Sequence, residues 1–266
     1  MIERAYAERW VDFAQNQGKS TGGFCAAPYN NHAYILLSWG GRMSDVFTLA
    51  HELGHAGNGK ICNQHNSVMN CDFSMYFGEA PSTINELIMG NYMKSISKDK
   101  RMQRWVLSNI VGNTYYHNFV THLLEAAYQR EVYRIVDKGG SVDAETLSGI
   151  KKKVLTDFWG DAVEINEGAE LTWMRQPHYY MGLYSYKYSA GLTVATEVAS
   201  RIEKEGQPAV DDWRKVLAMG KTSTPIEQAA VGGVDITTEQ QLLHTIAHIG
   251  DMIEEMISLT DELEKE

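Results

Sequence analysis

Residues 45–56 read DVFTLAHELGHA. Val46, Leu49, Ala50 and Leu53 recur at helical spacing, and Ser44 or Asp45 stands where a helix cap is expected. The stretch is therefore expected to be a half-buried helix, with Gly57 and Gly59 ending it. His51 and His55 are four residues apart and share one helical face, a turn apart. Two imidazoles so placed can hold one Zn²⁺ at tetrahedral angles. Glu52 lies beside the first histidine without taking up a coordination position. A carboxylate there can take a proton from a water whose pKa a metal has lowered. Because the HExxH pattern also arises by chance, its surroundings decide what it means.

Those surroundings read as mostly helical. On the N-terminal side, residues 2–17 place Ala5, Trp10, Phe13 and Ala14 near one face, which predicts a helix ending at Gly18. Gly23 to Ala27 and Ala33 to Trp39 are β-like, with turn chemistry at Tyr29-Asn30-Asn31-His32 between them, so a hairpin should precede the motif. On the C-terminal side a polar loop over 58–72 leads to helices predicted at 77–97, 100–137 and 143–159. A tyrosine-rich stretch, 177–189, runs into a helix ending near 205, followed by a helix at 208–219. Residues 220–235 read as loop, and Thr237-x-x-Gln240 as a capping box for a last helix to 263. No internal repeat or interdomain linker stands out. The expected fold is mainly α: a multi-helical zincin-type catalytic domain spanning 1–266, with one small β hairpin beside the HExxH helix.

A tetrahedral protein site needs a third ligand. A further histidine six residues past His55, with glycine at 58, would define one class, but those positions hold Ile61 and Asn58. The alternative is a glutamate on another helix. Glu79 and Glu86 are seven residues apart and share a face, so one can bind the ion while the other orients a ligand histidine. A thermolysin-like arrangement would want its glutamate nearer the second histidine.

Bulk properties exclude other classes. The 266 residues carry a net charge of −10, with no basic patch of the kind a phosphate backbone requires, so no nucleic-acid partner is expected. No run of about 18 apolar residues occurs, so no membrane-spanning helix is expected. The N-terminus lacks the continuous apolar run of a signal peptide. Cys25, Cys62 and Cys71 are few and odd in number, which reads as reduced thiols in a cytoplasm. The Cys62-x2-His65 and Cys71 spacing fits no common zinc module.

HELGHA, followed 24 residues after His55 by Glu79 in FGEAPSTINE, resembles the oligoendopeptidase F family, the thimet-oligopeptidase-like zinc metallopeptidases. ERAYAERW, GGFCAAPYNNHAYILLSW, DVFTLAHELGHA, HYYMGLYSYKYSAG and GGVD agree with it, over essentially the whole chain. The resemblance implies His51, His55 and Glu79 as ligands of one zinc ion, Glu52 as general base and proton shuttle, and Glu86 as the glutamate behind a ligand histidine. It matches His178 and Tyr186 to the pair that steadies the substrate carbonyl and oxyanion. Imidazole N–H and phenol O–H donors suit that task. Tyr180 and Tyr184 crowd the same segment and are further candidates. The family's edge strand near the metal pairs with an extended substrate, which points to Gly22, Gly23 and Phe24 by β-addition.

The sequence also departs from the family. Gly57-Asn58-Gly59 follows HELGHA where another histidine is usual, and Met181 and Leu183 stand where aromatic residues are common. Family members are also roughly twice as long, and their first half forms the opposite wall of a channel. The expectation is therefore a zinc endopeptidase of short peptides, corresponding to the C-terminal catalytic half. The alternative is a zinc-binding fragment of weak activity that self-associates or needs its missing N-terminal half.

Overall fold

The computed structural model describes residues 1–19 and 22–265. These form two compact units, Met1–Tyr115 with Ala190–Glu266, and Tyr116–Ser189.

The first unit opens with α1 (Ile2–Ala7), β1 (Val11–Asp12), β2 (Gly23–Ala26) and β3 (Tyr34–Leu37). The strand order is β1-β3-β2. The expected hairpin is present as β2 antiparallel to β3, with Gly23 opposite Leu37 and Ala26 opposite Tyr34. A parallel strand, β1, is added to it. That strand replaces the second half of the helix expected over 2–17. Arg9 turns the chain with φ of 55°. The Trp10 carbonyl then accepts from the Ile35 amide at 2.8 Å, and the indole is buried and stacked on His32. Burying an indole stabilises by more than another helical turn would.

Alternation along β3 buries Ile35 and Leu37 on one side and leaves Tyr34 exposed. The buried side meets Leu49, Leu53 and Ala56 of α2 (Met43–His65), with Ala5, Trp10 and Ala33 completing the core. Each such leucine or isoleucine contributes roughly 1.5–3 kcal/mol of burial. The helix does not stop at Gly57 or Gly59. A Cβ at Gly59 would stand 2.3 Å from the Ala27 methyl, so this glycine allows the hairpin to approach and α2 continues beneath it. Asp45 sits inside the first turn, where its carboxylate accepts from the Gly40 and Arg42 amides at 2.7 and 3.0 Å.

The chain continues through α3 (Ala80–Ile96), α4 (Lys100–Asn109), a π-helical stretch (Ile110–Thr121), α5 (His122–Asp137) and α6 (Ala144–Trp159). The helix expected over 100–137 is thus three segments, because the π turns shift the register in its middle. After them come α7 (Tyr186–Glu205), α8 (Gln207–Ala218), α9 (Pro225–Val231) and α10 (Gln240–Leu263). α9 lies in the expected loop, started by a Thr224–Glu227 capping box and Pro225. The box expected at Thr237 and Gln240 does not form. Thr237 bonds Asp235 instead, and α10 begins after Glu239.

In the unit Tyr116–Ser189, α5 packs on α6, and α6 on the turn Ala169–Met174. Asp143 caps α6 by accepting from the Thr146 amide. Among the described residues, no helix is long and apolar enough to cross a membrane. Cys25, Cys62 and Cys71 are free.

Candidate metal centre

α2 and α3 touch at Gly54, the fourth letter of HELGH. A Cβ there would stand 2.3 Å from the Pro81 carbonyl oxygen and 2.7 Å from the Ser82 Cα. With only a hydrogen at Gly54 the backbones close up, and the Asn85 amide bonds the Ala50 carbonyl across the contact. This approach brings Glu79, immediately before α3, to the face of α2 that carries both motif histidines.

One carboxylate oxygen, Glu79 Oε2, lies 3.3 Å from His51 Nε2 and 3.2 Å from His55 Nε2. His51, His55 and Glu79 each offer a ligand atom within 4.8 Å of the others. Tetrahedral zinc with bonds of about 2.0–2.2 Å separates its ligand atoms by roughly 3.3 Å, so the donor set fits the ion the sequence implies. The histidine side chains are 20% and 19% exposed and that of Glu79 is 6%, so the cluster is open on the histidine side.

The remaining atoms of the ligands are tied down. His51 Nδ1 lies 2.6 Å from Glu86 Oε1, which points its Nε2 toward Glu79. Glu86 Oε2 accepts from the Thr114 hydroxyl, and Ser82 Oγ donates to Glu79 Oε2 at 3.0 Å. Burial opposes charge on His51, but hydrogen bonds to Glu79 and Glu86 outweigh it and lift its pKa well above the ordinary imidazole value. Burial likewise opposes charge on Glu79, and the two imidazoles outweigh it, holding this carboxyl well below the usual range. An anion facing two imidazoles is a set in which a cation takes the place of protons.

Glu52 is buried, and its Oε2 has no hydrogen-bond partner among the described residues. Burial pushes its pKa up, with His51 and His55 pulling the other way. A Cβ at Gly23 would stand 3.0 Å from Glu52 Oε1, so the edge strand β2 runs against this carboxylate. Gly22 has φ of 90° and Phe24 is exposed. The structure therefore brings together His51, His55, Glu79, Glu52, Glu86 and Gly23.

His178, Tyr180, Tyr184 and Tyr186 belong to the unit Tyr116–Ser189. His178 is half-buried, its ring 5.2 Å from that of Tyr184. The Tyr184 ring also carries the Lys187 ammonium at 3.9 Å. Tyr180 and Tyr186 are exposed. Sequence reasoning missed Gly54 and Thr114, and also Glu125 and Gln129. For the last two a signal exists: His122, Glu125 and Gln129 are spaced three and four apart, a polar stripe on one helical face.

Comparison with known proteins identifies the family. The sequence model of peptidase family M3 matches residues 2–248, and the chain belongs to that family. It is similar to oligopeptidase PepF of Bacillus subtilis (27% identical over 259 residues, 97% of this chain and 38% of that protein). It is similar also to an oligoendopeptidase F homolog of Borreliella burgdorferi (29% over 240 residues, 90% and 40%). In fold it resembles the crystal structure of oligoendopeptidase-F from Enterococcus faecium, with a TM-score of 0.68, 24% identity, and coverage of 84% of this chain and 41% of that one. The chain thus spans about two fifths of the length of these curated relatives.

Proposed function

We propose that this chain is a zinc metallopeptidase acting on short oligopeptides, with Glu52 as general base, and that 1–266 works as one catalytic domain. The observation that carries this reading is the convergence of His51, His55 and Glu79 beside the buried, unpartnered Glu52 Oε2. A zinc ion held by the two Nε2 atoms and the Glu79 carboxylate would polarise a carbonyl and lower the pKa of water. Glu52 takes the proton of the attacking water and hands it to the leaving amine. Glu86, braced by Thr114, keeps His51 from turning. Gly22, Gly23 and Phe24 offer the edge of β2 to an extended peptide backbone. His178 and Tyr186, assigned by family resemblance, donate to the oxyanion, with Tyr180 and Tyr184 as further substrate contacts.

The test is cleavage of an internally quenched peptide by the purified chain, with and without chelator, beside Glu52→Gln. The expected result is chelator-sensitive cleavage that Glu52→Gln lowers by about 10²–10⁴-fold while zinc is retained. Cleavage that survives the chelator, or an unimpaired variant, refutes the reading.

A second reading is zinc binding with little turnover. The observation that favours it is the exposed Leu242, Leu243, Ile246, Ile253 and Ile257 on α10, an apolar stripe suited to self-association. Stoichiometric zinc without cleavage selects it.

A further inference from the structure

Three polar side chains sit on the buried face of α5 where a helix of this kind normally places apolar ones. His122, Glu125 and Gln129 are 0%, 1% and 2% exposed. Burying a carboxylate is costly unless its oxygens are satisfied, so its partners show what it is for. Glu125 Oε2 lies 2.8 Å from His122 Nδ1, accepts from Ser185 Oγ at 2.8 Å, and stands 3.5 Å from His178 Nδ1. One turn along, Gln129 Nε2 donates to the backbone carbonyls of His178, at 3.0 Å, and Gly182. The α5 stripe thus holds the 178–185 segment at its backbone, at a hydroxyl and at an imidazole.

At the imidazole itself, the Gln176 amide nitrogen lies 3.1 Å from His178 Nδ1. Nδ1 thus meets both the Gln176 amide and, at 3.5 Å, the Glu125 carboxylate, and Nε2 is engaged by neither. Burial alone would raise the Glu125 pKa, but hydrogen bonds with His122, His178 and Ser185 outweigh it and keep the carboxyl far below its ordinary value, so the anion persists.

We propose that Glu125, with Gln129, is a positioning residue that fixes the place and orientation of the His178 imidazole. This rests on the reading of His178 as a substrate contact. By spacing alone His122, Glu125 and His178 could also hold a metal ion, and we read them instead as a hydrogen-bonded set. The 2.8 Å contact between His122 and Glu125 is a direct hydrogen bond, shorter than the 3.2–3.3 Å separations around Glu79.

Two measurements test the proposal together. The first is the ¹⁵N spectrum of the histidine rings in the wild type and Glu125→Gln, with His178 assigned by its loss in His178→Ala. The second is kcat and KM in a double-mutant cycle of Glu125→Gln and His178→Ala. The His178 ring nitrogens should shift in Glu125→Gln, and kcat should fall about 10–100-fold with KM nearly unchanged. In the His178→Ala background the same substitution should cost less than about twofold, since a group that acts through His178 has nothing left to act on. Unmoved ring resonances overturn the proposal. So does an equal loss in both backgrounds, as does a second zinc equivalent that Glu125→Gln abolishes. Shifted resonances with cleavage untouched by His178→Ala would uphold the positioning and sink the substrate role instead. Glu125→Asp, which keeps the charge but withdraws it by one methylene, is measured in parallel and answers the same questions if the amide variant does not fold.

Discussion

Two clusters in this protein are each made of two histidines and one glutamate, and they differ in geometry. In His51, His55 and Glu79, one carboxylate oxygen stands 3.2–3.3 Å from two imidazole nitrogens on a side of the cluster that is partly open. In His122, Glu125 and His178, the oxygen is in direct hydrogen-bond contact with one imidazole and a serine hydroxyl, and His122 and Glu125 are shut away. Composition does not distinguish them, but spacing and access do. A few tenths of an ångström between donors underlies the proposal that the first cluster takes an ion and the second only protons.

The most forceful way to break this comparison is to delete one ligand from each cluster. His55→Ala should abolish stoichiometric zinc and lower cleavage by roughly 10³-fold or more, since Lewis acidity and water activation go together. His122→Ala should leave the zinc content as it was. Metal analysis of both variants decides, and equal zinc loss in the two would erase the distinction. A finer probe is Glu86→Gln, which weakens the brace on His51. Zinc affinity measured against a competing chelator should drop about 10–100-fold, as for other groups that hold ligands from behind. An unchanged affinity would mean His51 needs no such support.

Smaller effects come from packing and pH. Gly54→Ala places a methyl against the Pro81 carbonyl. It should cost about 1–3 kcal/mol of stability by overpacking, read from chemical denaturation, with weaker zinc retention as α3 is pushed off. The subtlest prediction concerns Lys151, buried in the same unit as the hydrogen-bonded cluster and donating to Tyr179 at 2.7 Å. Burial pushes its pKa down to about 8, with Glu125 opposing. The unfolded chain holds that proton to about 10.4, so between these values it binds more protons than the native state and stability should rise with pH. Thermal melts of wild type and Lys151→Met across pH 8–10 should differ by that rise, and parallel curves would contradict it.

How much of this the sequence disclosed follows from the range of each interaction. The motif helix, the hairpin and the pairing of Glu79 with Glu86 are written in short periodicities, and the structure has them. The helix expected over 2–17 fails because Trp10 finds His32 and Ile35, partners that lie more than 20 residues away. Gly57 and Gly59 read as a stop because glycine's commonest use near a helix end is to cap it. Here Gly59 serves close packing against Ala27, which no local window shows. Thr114 is hidden for a similar reason, since it lies within π turns whose register a 3.6-residue period does not describe. Glu125 and Gln129 were visible as a stripe, but a polar stripe on a helix ordinarily faces water, and only burial reveals its inward use.

The contact at Gly54 carries a consequence for how such motifs are recognised. HExxH treats its two inner letters as placeholders, yet in this fold the second has a ceiling on its volume, set by a carbonyl oxygen of the neighbouring helix. A chain bearing every metal-binding letter but a bulky residue there would keep its two histidines while its glutamate stood too far off to join them. The smallest side chain in the motif, which contacts no ion, sets the size of the cage.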